Sequence, residues 1–349
     1  MRRGIVSAGN FIIDHVKTIS HWPERGMLAD ILDEQIGSGG GAYNVLIDLA
    51  KMEADLPLYA VGIIGQDSDG DAIEAELEGY EIRTDFLLRT SKAPTSYTDV
   101  MAELGGRSRT FFHCRGANSM LDVAHFEGID CEAKIFYLGY LLLLDRLDAP
   151  DPDLGARAAR VLKMMADRDF LTAVDLVSIQ NRKAPEVVCP CLPFIDYLII
   201  NEIEAGNVTG FKIRSSDQSI NVENLKKAAR ALIDQGIRKL VVIHVPEGAF
   251  AMLPGHKCIF EPSFEIATED IRGATGAGDA FCAGLLYCLH ENKPIEFSLK
   301  FANSSALFNL THETATGGAV ALEKILAYLK VGQQKKSIFS EELSDNICN

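Results

Sequence analysis

The second half of the chain alternates short apolar runs with amphipathic segments, and this alternation limits the fold more than any other feature. The runs KIFYLGYLLLL, FLTAVDLV, DYLII and KLVVIHV read as buried strands, and helical patterns such as DPDLGARAARVLKMMADRD and NVENLKKAARALIDQG lie between them. Strands that alternate with helices form parallel sheets covered on both faces. We therefore expect an α/β fold with a central, mostly parallel sheet, and a ligand site beyond the carboxyl ends of its strands.

The first half begins in the same way. GIVSAGNFIID predicts a buried strand that ends between Asn10 and Asp14, and PLYAVGIIG predicts another. Between them, GGGAYNVLIDLAKM predicts a helix that follows three glycines, with apolar residues on one face. These segments extend the same sheet.

A second, smaller sheet is indicated by TSYTDVMAELGGRSRTFFHC, in which two β-rich runs flank Gly105 and Gly106, a hairpin signal. With the segment from residue 15 to residue 36, this hairpin predicts a small β lid set apart from the main body. The predicted organisation is one domain over residues 1–330, with the lid formed by about 15–36 and 95–114, and a polar, frayed C-terminal extension over 331–349.

Composition excludes several classes of protein. The 349 residues are 47% hydrophobic and 24% charged, which is typical of a globular chain, and the net charge of −15 disfavours nucleic acid and anionic membranes as partners. The apolar runs are too short to span a bilayer, and no signal peptide is visible at the N-terminus. Eight scattered cysteines favour free thiols in the cytoplasm, and the CPC segment lacks a second pair spaced for zinc.

The segment RGATGAGDAFCAG, residues 272–284, carries the clearest chemical signal. Three small residues, Gly276, Ala277 and Gly278, precede Asp279, and the apolar residues that follow recur on one face of a predicted helix. The unpaired N–H groups and the dipole at a helix start form an anion site that small side chains leave open. An ordinary glycine-rich turn with an aspartate in the first helical turn would explain the same residues. The segment is not a P-loop, because no G-K-[ST] follows.

Two segments together carry a family resemblance. ATGAGDAFCAGLL resembles the second signature of the ribokinase family (the PfkB carbohydrate kinases), D-T-x-G-A-G-D-x-F, and GSGGGAYNVLIDLAKM resembles the first, a G-G-x-x-x-N element that opens a helix. Their order and spacing match the family, and the resemblance extends from residue 4 to about residue 325. It implies a ribokinase-like fold and an ATP- and Mg²⁺-dependent kinase that transfers the γ-phosphoryl group to a hydroxyl of a small sugar or sugar-like molecule.

The resemblance implies roles for residues on the acceptor side. Asp279 matches the general base, and the helix N-terminus is expected to keep it ionised at neutral pH. The three small residues before it match the anion hole for the transferred phosphate. The residues that match the substrate site are Asp14, Gly39, Gly40 and Asn44, with Arg115 in HCRGAN as a further candidate. Simpler interpretations are a turn residue for Asp14, a helix N-cap for Asn44 and a surface ion pair for Arg115.

On the nucleotide side, NEIEA resembles the family's N-x-x-E element, in which Asn201 and Glu204 organise water around Mg²⁺. An acidic helix start is the alternative. VVIHVPEGAFAM stands where a nucleotide-contacting turn is usual, one residue shorter and with a proline in place of a glycine, which leaves His244 and Gly248 as candidates. FANSSALF resembles the helix that lines the adenine pocket and points to Asn303.

Two departures from the family pattern matter. Gly273 stands where relatives carry an aspartate that helps bind a monovalent cation, so use of such a cation is left open. Gly41 stands where ribokinase itself carries a lysine. The substrate-facing motifs hold few basic residues, which predicts a neutral rather than a phosphorylated acceptor.

Several alternatives stay open at this point. A nucleoside kinase of the same family and a catalytically silent sugar- or nucleotide-binding regulator both fit parts of the sequence. A dinucleotide-binding dehydrogenase is disfavoured, because no G-x-G-x-x-G follows the first strand. Two short β runs are not stable alone, so the lid packs on the body, on substrate or on a second copy, and a homodimer through the lid is one of these outcomes.

Overall fold

The structure, a computed structural model, describes residues 2–105, 109–179 and 183–339, with only the backbone of Arg109. In chain order, the strands are β1 (Ile5–Ala8), β2 (Ile12–Ile19), β3 (Ile31–Gly39), β4 (Leu58–Gly65), β5 (Arg83–Thr90), β6 (Ser96–Glu103), β7 (Arg109–Cys114), β8 (Ile135–Leu141), β9 (Pro150–Asp151), β10 (Gly155–Ala156), β11 (Leu171–Leu176), β12 (Tyr197–Asn201), β13 (Leu240–Val245), β14 (Gly248–Met252) and β15 (Cys258–Pro262).

The helices alternate with these strands over most of the chain. The α-helices are α1 (Gly41–Lys51), α2 (Ser68–Gly79), α3 (Arg157–Asp167), α4 (Ala184–Val188), α5 (Glu202–Thr209), α6 (Val222–Asp234), α7 (Ala277–His290), α8 (Ile295–Leu310) and α9 (Leu322–Val331). Short 3₁₀ helices span Gly116–Met120, Val123–Phe126, Cys189–Phe194 and Thr268–Asp270.

The central sheet contains nine strands within the described ranges, in the order β15-β14-β13-β12-β11-β8-β1-β4-β5. From β13 to β5 all neighbours pair in parallel, whereas β14 and β15 add an antiparallel edge. Strands such as β4 are buried along their whole length because helices cover both faces. This confirms the predicted central, mostly parallel sheet between helices.

Each face of this sheet has its own hydrophobic core. Leu162 of α3 and Leu225 of α6 belong to the core on one face, and Val45 of α1, Leu285 of α7 and Leu299 of α8 belong to the core on the other. Helix α7 is buried around most of its circumference, because α1 and α8 both pack against it. The expectation of a single apolar stripe on α7 is therefore wrong, and its small residues are what allow the close approach of two other helices.

A separate four-stranded sheet has the order β3-β2-β6-β7. It confirms the predicted small β lid, and its hairpin strands β6 and β7 pair antiparallel, with Gly106 of the predicted turn outside the described residues. Strand β2 pairs antiparallel with β3 and parallel with β6. The domain boundaries given for this lid stay a prediction.

The first predicted strand divides between the two sheets, which corrects the sequence interpretation. Strand β1 ends at Ala8 in the central sheet, and β2 begins at Ile12 in the lid. Gly9 lies between them with φ of +134°, and a Cβ there would lie 2.5 Å from the carbonyl oxygen of Gly139. Asp14 consequently lies in a lid strand and not at the end of a core strand.

The start of the C-terminal extension packs against the body, which corrects the expectation of a frayed segment there. Gln333 accepts a hydrogen bond from the Glu265 N–H at 2.8 Å. Phe339 is buried, with its ring 5.8 Å from that of Phe250 and 5.0 Å from that of Phe260. An aromatic residue in an otherwise polar stretch thus anchors this part of the chain beside β14 and β15.

Across the described residues, no helix combines the length and the apolar character that crossing a membrane requires. The free thiols are Cys114, Cys131, Cys189, Cys191, Cys282 and Cys288. Cys258 is disulfide-bonded, so the expectation of free thiols throughout is wrong at that position.

Candidate active site

Asp279 is the buried carboxylate at the centre of the candidate site. It lies in the first turn of α7 with 3% of its surface exposed. Its Oδ2 accepts hydrogen bonds from Asn44 Nδ2 at 2.7 Å and from the Tyr140 hydroxyl at 2.9 Å. Asn44 reaches it because α1 packs directly on α7. A carboxylate held by two donors has a fixed orientation.

Burial raises the pKa of Asp279 to about 6. The hydrogen bonds from Asn44 and Tyr140 lower this pKa, and the neighbouring charge of Asp14 raises it. The expectation that the helix N-terminus would control this ionisation is wrong, because burial has the larger effect. The pKa still lies below neutrality, so the ionised form dominates at pH 7.

The backbone at the start of α7 requires glycine at one position. Gly276 has φ of +77°, and a Cβ there would overlap the carbonyl oxygen of Ala315. The first bond of the helical ladder that the structure shows for α7 runs from the Ala280 N–H to the Gly276 oxygen at 2.8 Å. The N–H groups of Gly278 and Asp279 precede this ladder, as in any helix start that can bind an anion.

His244 lies beside this helix start. A Cβ on Gly278 would lie 3.5 Å from His244 Cε1, and the imidazole ring is 5.0 Å from that of Phe281. Burial lowers the pKa of His244 to about 4, so the ring is neutral at pH 7. Ala277 is the first residue of α7, and its N–H lies 3.4 Å from the Ala274 oxygen. A neutral imidazole next to the predicted anion hole can offer one N–H donor.

The structure brings the predicted acceptor-side residues together. A Cβ on Gly39 would lie 2.5 Å from Asp14 Oδ2 and 3.9 Å from Asn44 Oδ1. Gly40 has φ of +99°, and a Cβ there would overlap the Asn10 carbonyl oxygen. Asn44 Oδ1 is buried, and it accepts no hydrogen bond from the part of the chain that is described. The glycine pair thus lets the lid strand approach α1, and an acceptor oxygen is left for a ligand.

Two residues of this cluster were not found by sequence reasoning. Tyr140, near the end of β8, bonds Asp279, and its own N–H donates to Asp175 Oδ1 at 2.7 Å. Asp175 lies in β11, where burial and the charge of Asp279 raise its pKa well above the usual range. Asp175 could have been noticed, because it is a carboxylate inside the apolar run FLTAVDLV. Nothing in YLGYLLLL distinguished Tyr140 from its neighbours.

Asn201 and Glu204 form a capping box at the start of α5. Asn201 Oδ1 accepts from the N–H groups of Ile203 and Glu204, both at 2.9 Å, and Glu204 Oε2 accepts from the Asn201 N–H at 2.9 Å. Ser178 donates its hydroxyl to Glu204 Oε1 at 2.7 Å. The structure therefore shows NEIEA as a capped helix start. The role of Asn201 and Glu204 at the metal stays a prediction.

The carboxyl group of Glu204 belongs electrostatically to the same acidic region as Asp279. Burial raises the pKa of Glu204 to about 7, hydrogen bonds from Asn201 and Ser178 lower it, and the charge of Asp279 raises it. The charge of Glu204 in turn contributes to the raised pKa of Asp175. Carboxylates whose negative charge raises the pKa of neighbouring acids form an environment in which an added cation is stabilising.

Two predicted nucleotide-side residues have structural roles in this conformation. A Cβ on Gly248, at the start of β14, would overlap the Glu261 carbonyl oxygen, so the glycine serves strand packing. Asn303 of α8 donates its amide group to the carbonyl oxygens of Glu261 at 3.0 Å and Pro262 at 3.2 Å. Any contact of either residue with a nucleotide stays a prediction.

Arg115 has the partner that the simpler interpretation indicated. Its Nη1 lies 2.7 Å from Asp145 Oδ1, and the side chain of Arg115 is 38% exposed. Such an exposed ion pair contributes little free energy, so it does not prevent a rearrangement. The predicted contact between Arg115 and substrate is not visible in this conformation and stays a prediction.

A cavity of about 440 Å³ lies between the loop that follows β15, the end of α8 and α9. It adjoins the signature segment at Arg272, whose N–H donates to the Leu310 oxygen at 2.8 Å. Polar and apolar side chains contribute to its wall in a mixture that suits a heterocyclic base. The lining residues are Glu265, Ile266, Ala267, Asp270, Arg272, Leu307, Thr311 and Tyr328.

Comparison with known proteins finds relatives over most of the chain. The pfkB family carbohydrate kinase profile matches residues 3–321. The ribokinase of Haemophilus influenzae is 23% identical over 330 residues, covering 95% of this chain and 99% of that protein. The adenosine kinase of Dictyostelium discoideum is 28% identical over 299 residues, covering 82% of each.

The solved structures show the same fold. That of Arabidopsis thaliana ribokinase, complexed with ribose and ATP, superposes with a TM-score of 0.77 at 22% identity, covering 95% of this chain and 99% of that one. The ribokinase-like fold predicted from the two signatures is thereby confirmed, and so is a phosphotransferase with an alcohol group as acceptor. The chain belongs to the pfkB family of carbohydrate kinases.

Proposed function

We propose that the protein transfers the γ-phosphoryl group of ATP to a hydroxyl of a neutral sugar or sugar-like molecule, with Asp279 as the general base. The observation that carries this proposal is the arrangement around Asp279: a buried carboxylate, fixed by two donors, that directly follows the open N–H groups at the start of α7. The base and the phosphate cradle are then adjacent along the backbone. A catalytically silent regulator would not need this arrangement.

Asp279 accepts the proton of the acceptor hydroxyl as that oxygen attacks the γ-phosphorus, and the bond from this phosphorus to the bridging oxygen breaks to release ADP. Its pKa of about 6 favours this role, because the group is ionised at pH 7 and still binds a proton more strongly than an exposed aspartate does. Positioning and stabilisation of charge supply most of the remaining rate enhancement in phosphoryl transfer. The N–H groups of Gly278 and Asp279 stabilise charge on the transferred group.

The residues present fit a magnesium ion. The charge of Asp279 raises the pKa of both Asp175 and Glu204, and the charge of Glu204 raises that of Asp175. Oxygen ligands suit this hard cation. Within the described residues, no group of three His, Cys, Asp or Glu side chains is arranged to hold a metal directly, which agrees with a site completed by water and phosphate. Asn201 and Glu204 would hold the ion through water, and it would neutralise phosphate charge when bound. A monovalent cation stays open, because Gly273 offers no side-chain oxygen.

The nucleotide base is proposed to occupy the cavity between α8 and the loop after β15. This cavity adjoins the signature segment at Arg272, and the anion hole lies four to six residues further along the same segment. A base bound there and a phosphate at Gly278 would place one nucleotide along the segment from Arg272 to the start of α7. His244, beside Gly278, is proposed to donate a hydrogen bond to the phosphate chain.

The acceptor is proposed to be uncharged. Asp14, Asn44 and Tyr140 line the acceptor side with acceptors and an aromatic ring, whereas Arg115 is paired with Asp145. A phosphorylated sugar would need a free arginine or lysine clamp. A nucleoside is the second candidate. It is favoured by the 28% identity to an adenosine kinase and by the aromatic ring of Tyr140 beside the general base Asp279.

An assay of ATP consumption separates these acceptors. We expect turnover with one of ribose, fructose, adenosine or inosine, and a much lower kcat/KM with tagatose 6-phosphate. A preference for the phosphorylated sugar would contradict the neutral acceptor without affecting the kinase assignment. A preference for adenosine or inosine would decide for the second candidate.

The substitution Asp279→Asn tests the base directly. We expect kcat to fall about 10²–10⁴-fold, because the proton acceptor is lost, with KM for ATP nearly unchanged. The matched control is Asp67→Asn, at the N-cap of α2, where the carboxylate accepts hydrogen bonds from Gly70 and Thr95. The control should lower the melting temperature and leave kcat within a few-fold. Near-normal kcat for Asp279→Asn would show that its carboxylate is only structural.

A homodimer through the lid is proposed as the assembly, and a cytoplasmic location stays a prediction. The lid sheet, the loop between β2 and β3 and the turn after β6 expose large apolar side chains, which a second copy would cover. Light scattering at micromolar concentration should give twice the 38.1 kDa chain mass, and a monomer would contradict this. These side chains are Trp22, Met27, Leu28, Ile31, Leu32, Ile36, Leu104, Phe111 and Phe112.

A further inference from the structure

We infer that Tyr140 is a positioning residue for the general base: its hydroxyl fixes Oδ2 of Asp279, leaves Oδ1 for the acceptor hydroxyl, and depends on a glycine at residue 41. This inference rests on the proposed function and adds to it a residue that no signature of the sequence marks. Its support is a chain of contacts that begins at the backbone of Tyr140.

The backbone of Tyr140 is held in an uncommon conformation. Its φ is +54°, in the left-handed region that is costly for an aromatic residue. The N–H of Tyr140 donates to Asp175 Oδ1 at 2.7 Å, and its carbonyl oxygen accepts from the Leu143 N–H at 3.1 Å. These two hydrogen bonds hold the backbone of Tyr140 in this conformation, which directs its side chain to Asp279. Strain of this kind concentrates at functional sites.

The ring of Tyr140 fills the space beside Gly41. A Cβ on Gly41 would overlap Cδ1 of this ring and would lie 2.8 Å from its Cε1. Any side chain at residue 41 therefore has to displace the tyrosine. The glycine at this position and the tyrosine at the end of β8 are consequently one feature of the site: the first makes room for the second.

The two donors to Asp279 both bond the same oxygen. Asn44 and Tyr140 donate to Oδ2, and no donor among the described residues bonds Oδ1. A hydrogen bond from a phenol stabilises the ionised carboxylate, and this contact lowers the pKa of Asp279 against the effect of burial. Tyr140 thus acts on the base in two ways, through orientation and through basicity.

Most of the other ionisable groups around Asp279, within the part of the chain that is described, are acids. The basic ones are His244 on β13, neutral at pH 7 because burial lowers its pKa to about 4, and Lys51 on α1, whose charge lowers the pKa of Asp48. Asp279 interacts electrostatically with carboxyl groups on four other elements, a buried phenol on β8 and a thiol on α7 itself. No cation is among the groups that shift the pKa of Asp279, so the effect of removing the Tyr140 hydroxyl on the base should be visible. The carboxyl groups, the phenol and the thiol belong to Asp14 on β2, Asp48 on α1, Asp175 on β11, Glu204 on α5, Tyr137 on β8 and Cys282 on α7.

The test is the pH profile of Tyr140→Phe, which keeps the ring beside Gly41 and removes only the hydroxyl. We expect the acid limb of kcat/KM for the acceptor to move to higher pH by half a unit or more. The rate should fall several-fold more at pH 6 than at pH 8.5, with KM for ATP unchanged. The control is Tyr197→Phe, which changes a buried tyrosine at the opposite end of β12 from Asn201 and should leave the limb in place.

A second pair of variants tests the dependence on Gly41. Gly41→Ala should displace the ring and shift the acid limb in the same direction as Tyr140→Phe. The double variant should then shift no further than either single variant, because the hydroxyl contact is already lost. Additive shifts would show that residue 41 does not control the tyrosine.

One measurement does not depend on turnover. Tyr140→Phe should lose more thermal stability at pH 8 than at pH 5, because the hydroxyl stabilises only the ionised form of Asp279. An unshifted acid limb in an active enzyme, or an equal loss of stability at both pH values, would overturn the inference. Absence of turnover by the wild-type protein with every acceptor would instead overturn the proposed function.

Discussion

Gly276 is the position at which the backbone most strictly limits the side chain. Its φ of +77° is costly for other residues, and a Cβ would overlap the carbonyl oxygen of Ala315. We expect Gly276→Ala to lower kcat at least tenfold and to destabilise the protein by about 1–3 kcal/mol, since the helix start must shift. Steady-state kinetics and urea unfolding would measure both effects.

The matched control for this prediction is Gly278→Ala. A Cβ there would lie 3.5 Å from His244 Cε1, an ordinary van der Waals contact, and φ is not in the left-handed region. This variant should keep the stability of the wild-type protein. Equal destabilisation by the two alanines would contradict the steric explanation.

The site residues that could be predicted are those that lie close together in the sequence. Gly276 to Asp279 and Gly39 to Asn44 form continuous motifs at helix starts, where residue type and spacing carry information. Tyr140 and Asp175 lie in separate strands, and only the neighbouring positions of β8 and β11 in the sheet bring them together. Without the strand order, the sequence could not show that Tyr140 and Asp175 lie close together.

At the scale of elements, the regular alternation of strands and helices was predictable because each has its own hydrophobic period. The division between β1 and β2 was not, since both strands are apolar and the break depends on the close approach of Gly9 to Gly139. The burial of α7 on most sides was also missed. The small residues of α7 are compatible with one or two packing partners, and the number of helices that pack on it depends on the arrangement of α1 and α8.

Phe339 gives a testable statement about the C-terminal segment. It is 7% exposed and stacks on Phe250 with an interplanar angle of 9°. We expect Phe339→Ala to lower the free energy of unfolding by about 3 kcal/mol, the order found for buried aromatic residues. The control is Val331→Ala, since Val331 is 81% exposed. Urea unfolding of both variants would check this, and equal stabilities would show that the segment does not anchor on the body.

For the whole molecule, the acidic region predicts how stability depends on pH. The pKa of Asp279 is raised to about 6 and that of Glu204 to about 7, mainly by burial. Both groups therefore bind protons more tightly in the folded state than in the unfolded state. Their contribution to stability is full at low pH and is lost as pH rises through these values.

The substitution Glu204→Gln isolates one of these contributions. Relative to wild type, we expect its stability to increase between pH 5 and pH 8 by about 2–3 kcal/mol, because each pKa unit corresponds to about 1.4 kcal/mol. Urea unfolding in the presence of EDTA would measure this difference. A stability difference that does not change with pH would contradict the raised pKa of Glu204.

The division of the first predicted strand between body and lid affects how readily water can replace the sugar as phosphate acceptor. Asp14 belongs to the lid, whereas Asp279 belongs to the body, and three residues connect β1 to β2. A sugar that reaches both carboxylates ties the lid to the body through its own hydroxyl groups. Water has a nucleophilic oxygen but lacks the second hydroxyl that Asp14 would hold. We therefore expect little ATP hydrolysis when no sugar is bound, because the sugar that joins the lid to the body is also the phosphate acceptor.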